Sequence, residues 1–200
     1  HKSFNDIMEA ARTSSRTTRI AVAGAEGKAV LGAMAHAADE GLVTPLLVGN
    51  REKCETIAAE AGFSLEGVEF YDVTGESDIS EKAVQLVDGG EADGLMKGKV
   101  STSSLLKAVL DKKYSLRTGR LLSHVALLDI PSYHKLLLIT DGGMNIRPTL
   151  EQKGEIIKNG IQVLNRLGID QPKVAVMAAV EKVNPDMPET GEAEQLAETG

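Results

Sequence analysis

The sequence predicts an α/β protein of two lobes, three-layered (αβα) with a mostly parallel sheet. Three observations predict it. Up to Tyr114, short apolar runs alternate with stretches of amphipathic helical spacing, the signature of parallel βαβ units with helices on both sheet faces. Each passage from strand to helix carries glycine, hydroxyl or acidic residues, which gathers polar backbone along one sheet edge. After Tyr114 the alternation breaks: two apolar runs follow each other around Pro131, too close for a crossover helix and therefore antiparallel.

Taken in order, Phe4, Ile7, Met8 and Ala11 recur at helical spacing and predict an opening helix, followed by a loop through RTSSRTT. RIAVAGA (19–25) is a buried strand and GKAVLGAMAHAADEG (27–41) a helix closed by Gly41, with His36 packed among its apolar neighbours. PLLVGN (45–50) is a strand whose last residue, Asn50, caps a helix reaching Ala61. Within that helix the single cysteine, Cys54, reads as a small filler. VEFYDV (68–73), SEKAVQLVDGG (80–90) and ADGLM (92–96) continue the cycle as strand, helix and strand. LLSHVALLDI (121–130) and YHKLLLITDGGMNI (133–146) form the antiparallel pair, with His134 in a solvated loop. Thr149 and Gln152 make a capping box that opens a helix with an apolar face of Ile156, Ile157, Ile161, Leu164 and Leu167, ended by Gly168. PKVAVMAAV (172–180) reads as another buried strand, EKVNPDMPET (181–190) as a turn-rich loop, and EAEQLAETG (192–200) as the start of a helix, so more chain is expected beyond it. The lobes are expected at 1–120 and 121–200, the second being only part of its lobe.

Composition narrows the function. Hydrophobic residues at 42% and charged residues at 26% suit an ordinary globular chain. A formal net charge of −7 argues against a nucleic-acid coat or a binder of acidic membranes, and 3% aromatics with no Trp leaves no base-stacking platform. Any anionic substrate must meet a local cationic cluster. One cysteine fits a reducing compartment, and no apolar run is long enough to span a bilayer, so a cytoplasmic location is expected.

The densest candidate site is ADGLMKGKVSTSSLLKAVL (92–110), a strand, loop and helix. Lys97 and Lys99 flank Gly98, and Ser101 and Thr102 stand where the helix begins. Charge, hydroxyls and free helix-terminal amides together suit a phosphate group. The same residues also describe an ordinary capped helix with solvated lysines, and the stretch is not a P-loop, since GxxxxGK[ST] is absent. GAEGK (24–28), VGN (48–50) and VTGE (73–76) share its sheet edge, and GAEGK, which lacks GxGxxG, lines the site with backbone. No His/Cys spacing or carboxylate cluster suits a metal.

LMKGKVSTSSLLKAVL, RTGRLLSHVALLDIP, LLLITDGGMNIRPTLEQK and PKVAVMAAVEKVNPDMP, in this order along nearly the whole chain, resemble the phosphate acetyl/butyryl transferases, with LSHVAL, TDGGMNI and AVEKVNPDMP nearest to the butyryl members. The resemblance implies a two-lobed fold of the isocitrate and isopropylmalate dehydrogenase type with the active site between lobes. It also implies the reversible reaction of an acyl-CoA with inorganic phosphate to give acyl phosphate and CoA, with butyryl favoured. Coenzyme A is then a substrate, no metal or redox cofactor is expected, and a homodimer or higher homo-oligomer is. Relatives of this kind run on well beyond this length and carry a late serine, arginine and aspartate motif in a segment that returns to complete the first lobe; nothing here matches it, so the lobe at 1–120 is expected to be incomplete without that segment and the general base to lie outside these residues.

Acyl transfer to phosphate needs an anion site, donors for the carbonyl oxyanion and a base. Lys97, Lys99, Ser101 and Thr102 are the anion site. Arg117 and Arg120 in SLRTGR offer forked donors to phosphate or to the CoA pyrophosphate, where composition alone gives a solvated turn. His124 is a donor to the carbonyl oxygen, or equally a structural histidine at a strand start. Ser123 points to the opposite face by alternation. Asp141 and Asn145, after the LLLIT run, orient phosphate or acyl donor, although D-G-G is first of all a turn.

Overall fold

The computed structural model describes residues 3–14 and 17–199; part of the loop after the first helix, and Gly200, lie outside them. It divides the chain into two compact units. One runs from Ala10 to Thr118, and the other joins the start of the chain, through Glu9, to the segment from Gly119 onward. Helix α1 (Phe4–Arg12) begins in the second and ends in the first.

The unit from Ala10 to Thr118 holds four parallel strands, β1 (Thr18–Ala23), β2 (Val43–Gly49), β3 (Glu69–Asp72) and β4 (Gly94–Lys97), in the order β3-β2-β1-β4. Register runs from Thr18 opposite Val43 and from Ile20 opposite Gly94. The crossovers are α2 (Lys28–Asp39), α3 (Arg51–Ala61) and α4 (Glu76–Asp88), and α5 (Thr102–Val109) follows β4. Alternation along the strands feeds two cores. Ala21, Ala23, Leu46 and Val48 face Ile79, Ala83 and Leu86 of α4 and Leu105 of α5. Val22 and Leu47 face Leu31 and Met34 of α2 and Cys54 and Ala58 of α3. The sheet is thus sandwiched between helical layers, as the near-continuous apolar strands require.

Helix ends follow local chemistry. The Asn50 side chain accepts from the Lys53 amide, and Gly62 at φ 76° closes α3. Helix α4 starts at Glu76, earlier than the expected 80, because Gly75 at φ 93° releases the strand and acidic Glu76 and Asp78 suit a first turn. His36 corrects the sequence reading: it is exposed, not packed. The buried residues of α2 are Leu31 and Met34, and two residues beyond Met34 is about 200° around a helix, facing away.

In the other unit, β5 (Val125–Leu128) and β6 (Leu137–Thr140) pair antiparallel, with Val125 opposite Thr140. Helix α6 (Leu150–Arg166) opens on the complete Thr149–Gln152 capping box and packs on β6, where a Cβ on Gly160 would lie 3.2 Å from Leu138. Helix α7 (Pro188–Glu198) begins at its proline, earlier than the expected 192. The run 172–180 is not the expected buried strand. It takes no regular structure, and Val174, Met177 and Val180 are 51%, 86% and 43% exposed. Apolarity suits a strand, but a strand also needs a partner ladder, and β5–β6 is a two-stranded sheet that this run does not join.

Candidate functional site

In the parallel sheet the chain runs from β1 outward through β2 to β3, then returns so that β4 flanks β1 on its other side. At that reversal the β1–α2 loop and the β4–α5 loop meet beyond the strand ends, the place where sheets of this kind bind their ligands. The two loops touch through backbone. The Gly98 amide donates to the Ala23 carbonyl at 2.8 Å and the Lys99 amide to the Gly24 carbonyl at 2.6 Å. A Cβ on Gly98 would lie 2.1 Å from the Gly24 carbonyl oxygen, and one on Gly24 would lie 2.8 Å from the Lys99 backbone. Only glycine allows this approach, which brings GAEGK and KGKVST together as one polar floor.

Two helices start there. Helix α2 has Gly27 at its N-cap and no side-chain cap, so its first-turn amides are met by no hydroxyl or carboxylate cap. Helix α5 is capped by Ser101, whose Oγ accepts from the Ser104 amide at 3.1 Å. Lys99 and Thr102 are exposed beside it. Lys97 is turned onto its own loop, donating Nζ to the Val100 carbonyl at 2.8 Å and to the Gly98 carbonyl at 3.3 Å.

Two carboxylates that sequence reading left as loop residues complete this edge. Glu26 Oε1 accepts the Asn50 amide at 2.9 Å, fastening the β1–α2 loop to the start of α3. Glu76 accepts the Ser101 amide, and hydrogen bonds from the Ser101 side chain and amide hold its carboxyl below the usual range against the opposing effect of burial, with Lys97 adding a lesser push downward. The signal for both was an acid at a helix start in a strand-end loop.

Arg117 is exposed. The segment just before it is strapped to α4: Lys113 Nζ donates to Glu81 at 2.7 Å, and the Ser115 amide donates to Asp88 at 2.7 Å.

The remaining candidates belong to the other unit. Arg120 is oriented by α6, with one guanidinium nitrogen on Gln162 Oε1 at 2.8 Å and another on Asn159 Oδ1 at 2.7 Å. The Asn159 amide group in turn donates to the Ser123 hydroxyl at 2.8 Å. Ser123 and Arg120 are therefore joined through one asparagine. His124 has different neighbours, its exposed imidazole lying over Gly142, where a Cβ would come within 2.5 Å of Nδ1.

Asp141 is the hub between His124 and Asn145. Its carboxylate accepts the His124 amide at 2.9 Å, the Asn145 amide at 2.9 Å and the Asn145 side-chain amide at 2.6 Å. Asn145 also donates to the Leu122 carbonyl at 3.0 Å. Burial would raise this carboxyl, but the donors from Asn145, His124 and Met144 outweigh it and hold it below the usual aspartate range. Asp141 is thus fixed as an acceptor that orders the loop below the His124 ring. Among the described residues no group of His, Cys, Asp and Glu could hold a metal ion.

A family model described as phosphate acetyl/butaryl transferase matches residues 3–82 and 75–199. This chain belongs to that family. It is 38% identical over 196 residues to a phosphate butyryltransferase of Clostridium acetobutylicum, covering 98% of this chain and 65% of that protein. It is 39% identical over 191 residues to a phosphate acetyltransferase of Thermotoga maritima, covering 96% of this chain and 64% of that protein. Among solved structures, a branched-chain phosphotransacylase from Enterococcus faecalis V583 superposes with a TM-score of 0.77 at 29% identity, covering 92% of this chain and 64% of that one. The chain thus spans about two thirds of the length of the relatives it matches. Among the described residues no helix is long and apolar enough to cross a membrane.

Proposed function

We propose that the protein is a phosphate acyltransferase, moving a short-chain acyl group reversibly between CoA and inorganic phosphate, with butyryl favoured over acetyl. Family membership supports the reaction class. The observation that carries it structurally is the meeting of the β1–α2 and β4–α5 loops at the switch in strand order, where glycine backbones touch and helix α5 starts beside Lys99.

In this reading phosphate lies on Lys99, Thr102 and the first turn of α5, with Lys97 and Ser101 holding the loop in shape. Arg117 and Arg120 supply forked donors to phosphate or to the CoA pyrophosphate. A phosphate oxygen attacks the thioester carbonyl, the C–S bond breaks, and the CoA sulfur leaves as thiolate. His124 donates to the oxyanion that forms on the carbonyl, Asp141 and Asn145 hold its loop, and Ser123 orients Arg120 through Asn159. Acyl-CoA and phosphate are the partners, and neither a metal nor a redox cofactor takes part. The protein works in the cytoplasm as a homodimer or higher homo-oligomer, independent of nucleic acid and membrane.

The test is release of free CoA thiol from butyryl-CoA and from acetyl-CoA, with and without phosphate. Phosphate-dependent release is expected, faster with butyryl-CoA. Faster release from acetyl-CoA would transfer the reading to the acetyl reaction, for which the Thermotoga maritima relative at 39% identity speaks. Binding of CoA or phosphate without release would make the chain a non-catalytic binding module. Lys99→Ala is expected to raise the KM for phosphate more than that for acyl-CoA, and equal phosphate dependence in the variant would remove Lys99 from the site.

A further inference from the structure

The start of α5 is held from outside the loop that forms it. Glu76, the first residue of α4, reaches it with two different groups. Its carboxylate accepts the Ser101 amide, and its backbone carbonyl accepts the Ser104 hydroxyl at 3.3 Å. Ser80, fully buried one turn further along α4, donates to the same Glu76 carbonyl at 2.8 Å and lies 3.1 Å from the Ser104 hydroxyl. Both ends of the capping pair, Ser101 and Ser104, are therefore fixed to the opening turn of α4.

The atom that Glu76 takes decides what it does. The Ser101 amide belongs to the N-cap residue, whereas the amides that converge on an anion are those of the first helical residues. Of these, Ser104 is satisfied by the cap, and Thr102 and Ser103 donate to no acceptor among the described residues. The Glu76 carboxylate thus takes the N-cap amide and leaves the Thr102 and Ser103 amides for an anion. Ser101 is held extended at φ −69° and ψ 149°, the conformation from which its hydroxyl caps the helix.

We propose that Glu76 is a positioning residue for phosphate: it clamps the first turn of α5 so that the Thr102 and Ser103 amides and Lys99 converge on the bound anion. This rests on the reading of KGKVST as the phosphate loop. A carboxylate so near an anion site is unfavourable by charge alone, so its removal would strengthen phosphate binding if charge governed, and weaken it if geometry governed. The two accounts predict opposite signs.

Inorganic phosphate is titrated at constant ionic strength into the whole chain, labelled with nitrogen-15, and the Thr102 and Ser103 amide resonances are followed in wild type, Glu76→Gln, Glu76→Asp, Glu76→Ala and Asp93→Ala. Asp93 is the control, a carboxylate that accepts the Arg19 amide at 2.9 Å at the opposite edge of the sheet. Glu76→Ala is expected to weaken phosphate severalfold. Glu76→Asp, one methylene too short to reach Ser101, is expected to weaken it in the same sense and remains informative if the alanine variant does not fold. Glu76→Gln, which keeps an acceptor oxygen without the charge, is expected to bind phosphate at least as tightly as wild type, and Asp93→Ala to leave the affinity unchanged. A general loss of helix stability would not be rescued by the amide. Unaltered or tighter binding in Glu76→Asp or Glu76→Ala, or binding in Glu76→Gln as weak as in Glu76→Ala, overturns the proposal and leaves the phosphate loop standing. No response of either amide in wild type overturns the loop reading and the proposal together.

Discussion

At the scale of single residues, environment separates groups that composition treats alike. Cys54 is fully buried in the core between α2, α3 and the sheet, and burial, reinforced by Glu26, Glu55 and Asp72 against an opposing Arg51, pushes its thiol up to about 12. It is expected to resist thiol reagents at neutral pH and to react only as the protein unfolds, so labelling should track the unfolding rate. Prompt labelling of the native protein would place Cys54 at the surface. Asp141 shows the reverse direction. A carboxyl depressed in the folded state stabilises at every pH above its unfolded value, and loses that contribution as pH falls through the folded one. An acid titration followed at the His124 and Asn145 amides should leave both unmoved through the ordinary aspartate range and shift them only below it. Cys54 as a filler was legible in the sequence, because a cysteine in an apolar helix stripe has few other readings. His36 was not, because the turn of a helix relative to its sheet depends on which residues the strands offer.

Elements form where local chemistry and partners agree, and fail where one is missing. The strand and helix alternation through β4, the Asn50 cap and the capping box of α6 were legible because their causes lie within a few residues of each other. Thr149→Ala removes the hydroxyl that accepts the Gln152 amide while leaving the Thr149 amide on the Gln152 side chain, and should cost about 1 kcal/mol in urea unfolding. The run 172–180 was misread because a ladder partner is a long-range property, invisible in the run itself. The clasp of Glu76 on Ser101 was hidden for the same reason, its two ends lying 25 residues apart. The two loops that meet beyond β1 and β4 add a sharper test. In Gly98→Ala the new Cβ meets backbone, which cannot swing aside, so a loss of about 1–3 kcal/mol is expected, together with weaker phosphate binding. Gly191, inside α7 with open space around it, is the contrast. Gly191→Ala should gain about 0.5–1 kcal/mol by restricting the unfolded chain.

At the scale of the whole molecule, the two units differ in what holds them. Both buried clusters, one on each face of the parallel sheet, are built entirely from residues between Ile20 and Val109. In the other unit the deeply buried hydrophobic side chains are Leu136 and Ile156, while Ile139, Ile146 and Met177 are 50%, 89% and 86% exposed. Stability rises with apolar area removed from water, so the first unit has a driving force of its own and the second has little. The segment Ala10–Thr118 expressed alone should therefore unfold cooperatively and keep its dispersed amide spectrum. The segment from Gly119 onward alone should show no cooperative transition and should bind a hydrophobic dye. In the intact chain, hydrogen exchange should be slowest in β1 and β2, whose neighbours flank them on both sides, and fast in β5 and β6, which have one ladder partner each. Comparable protection in the two sheets would mean that the buried side chains do not set the order of opening. Cooperative folding of the later segment alone would mean that pairing of β5 with β6 under α6 is sufficient without a wider core.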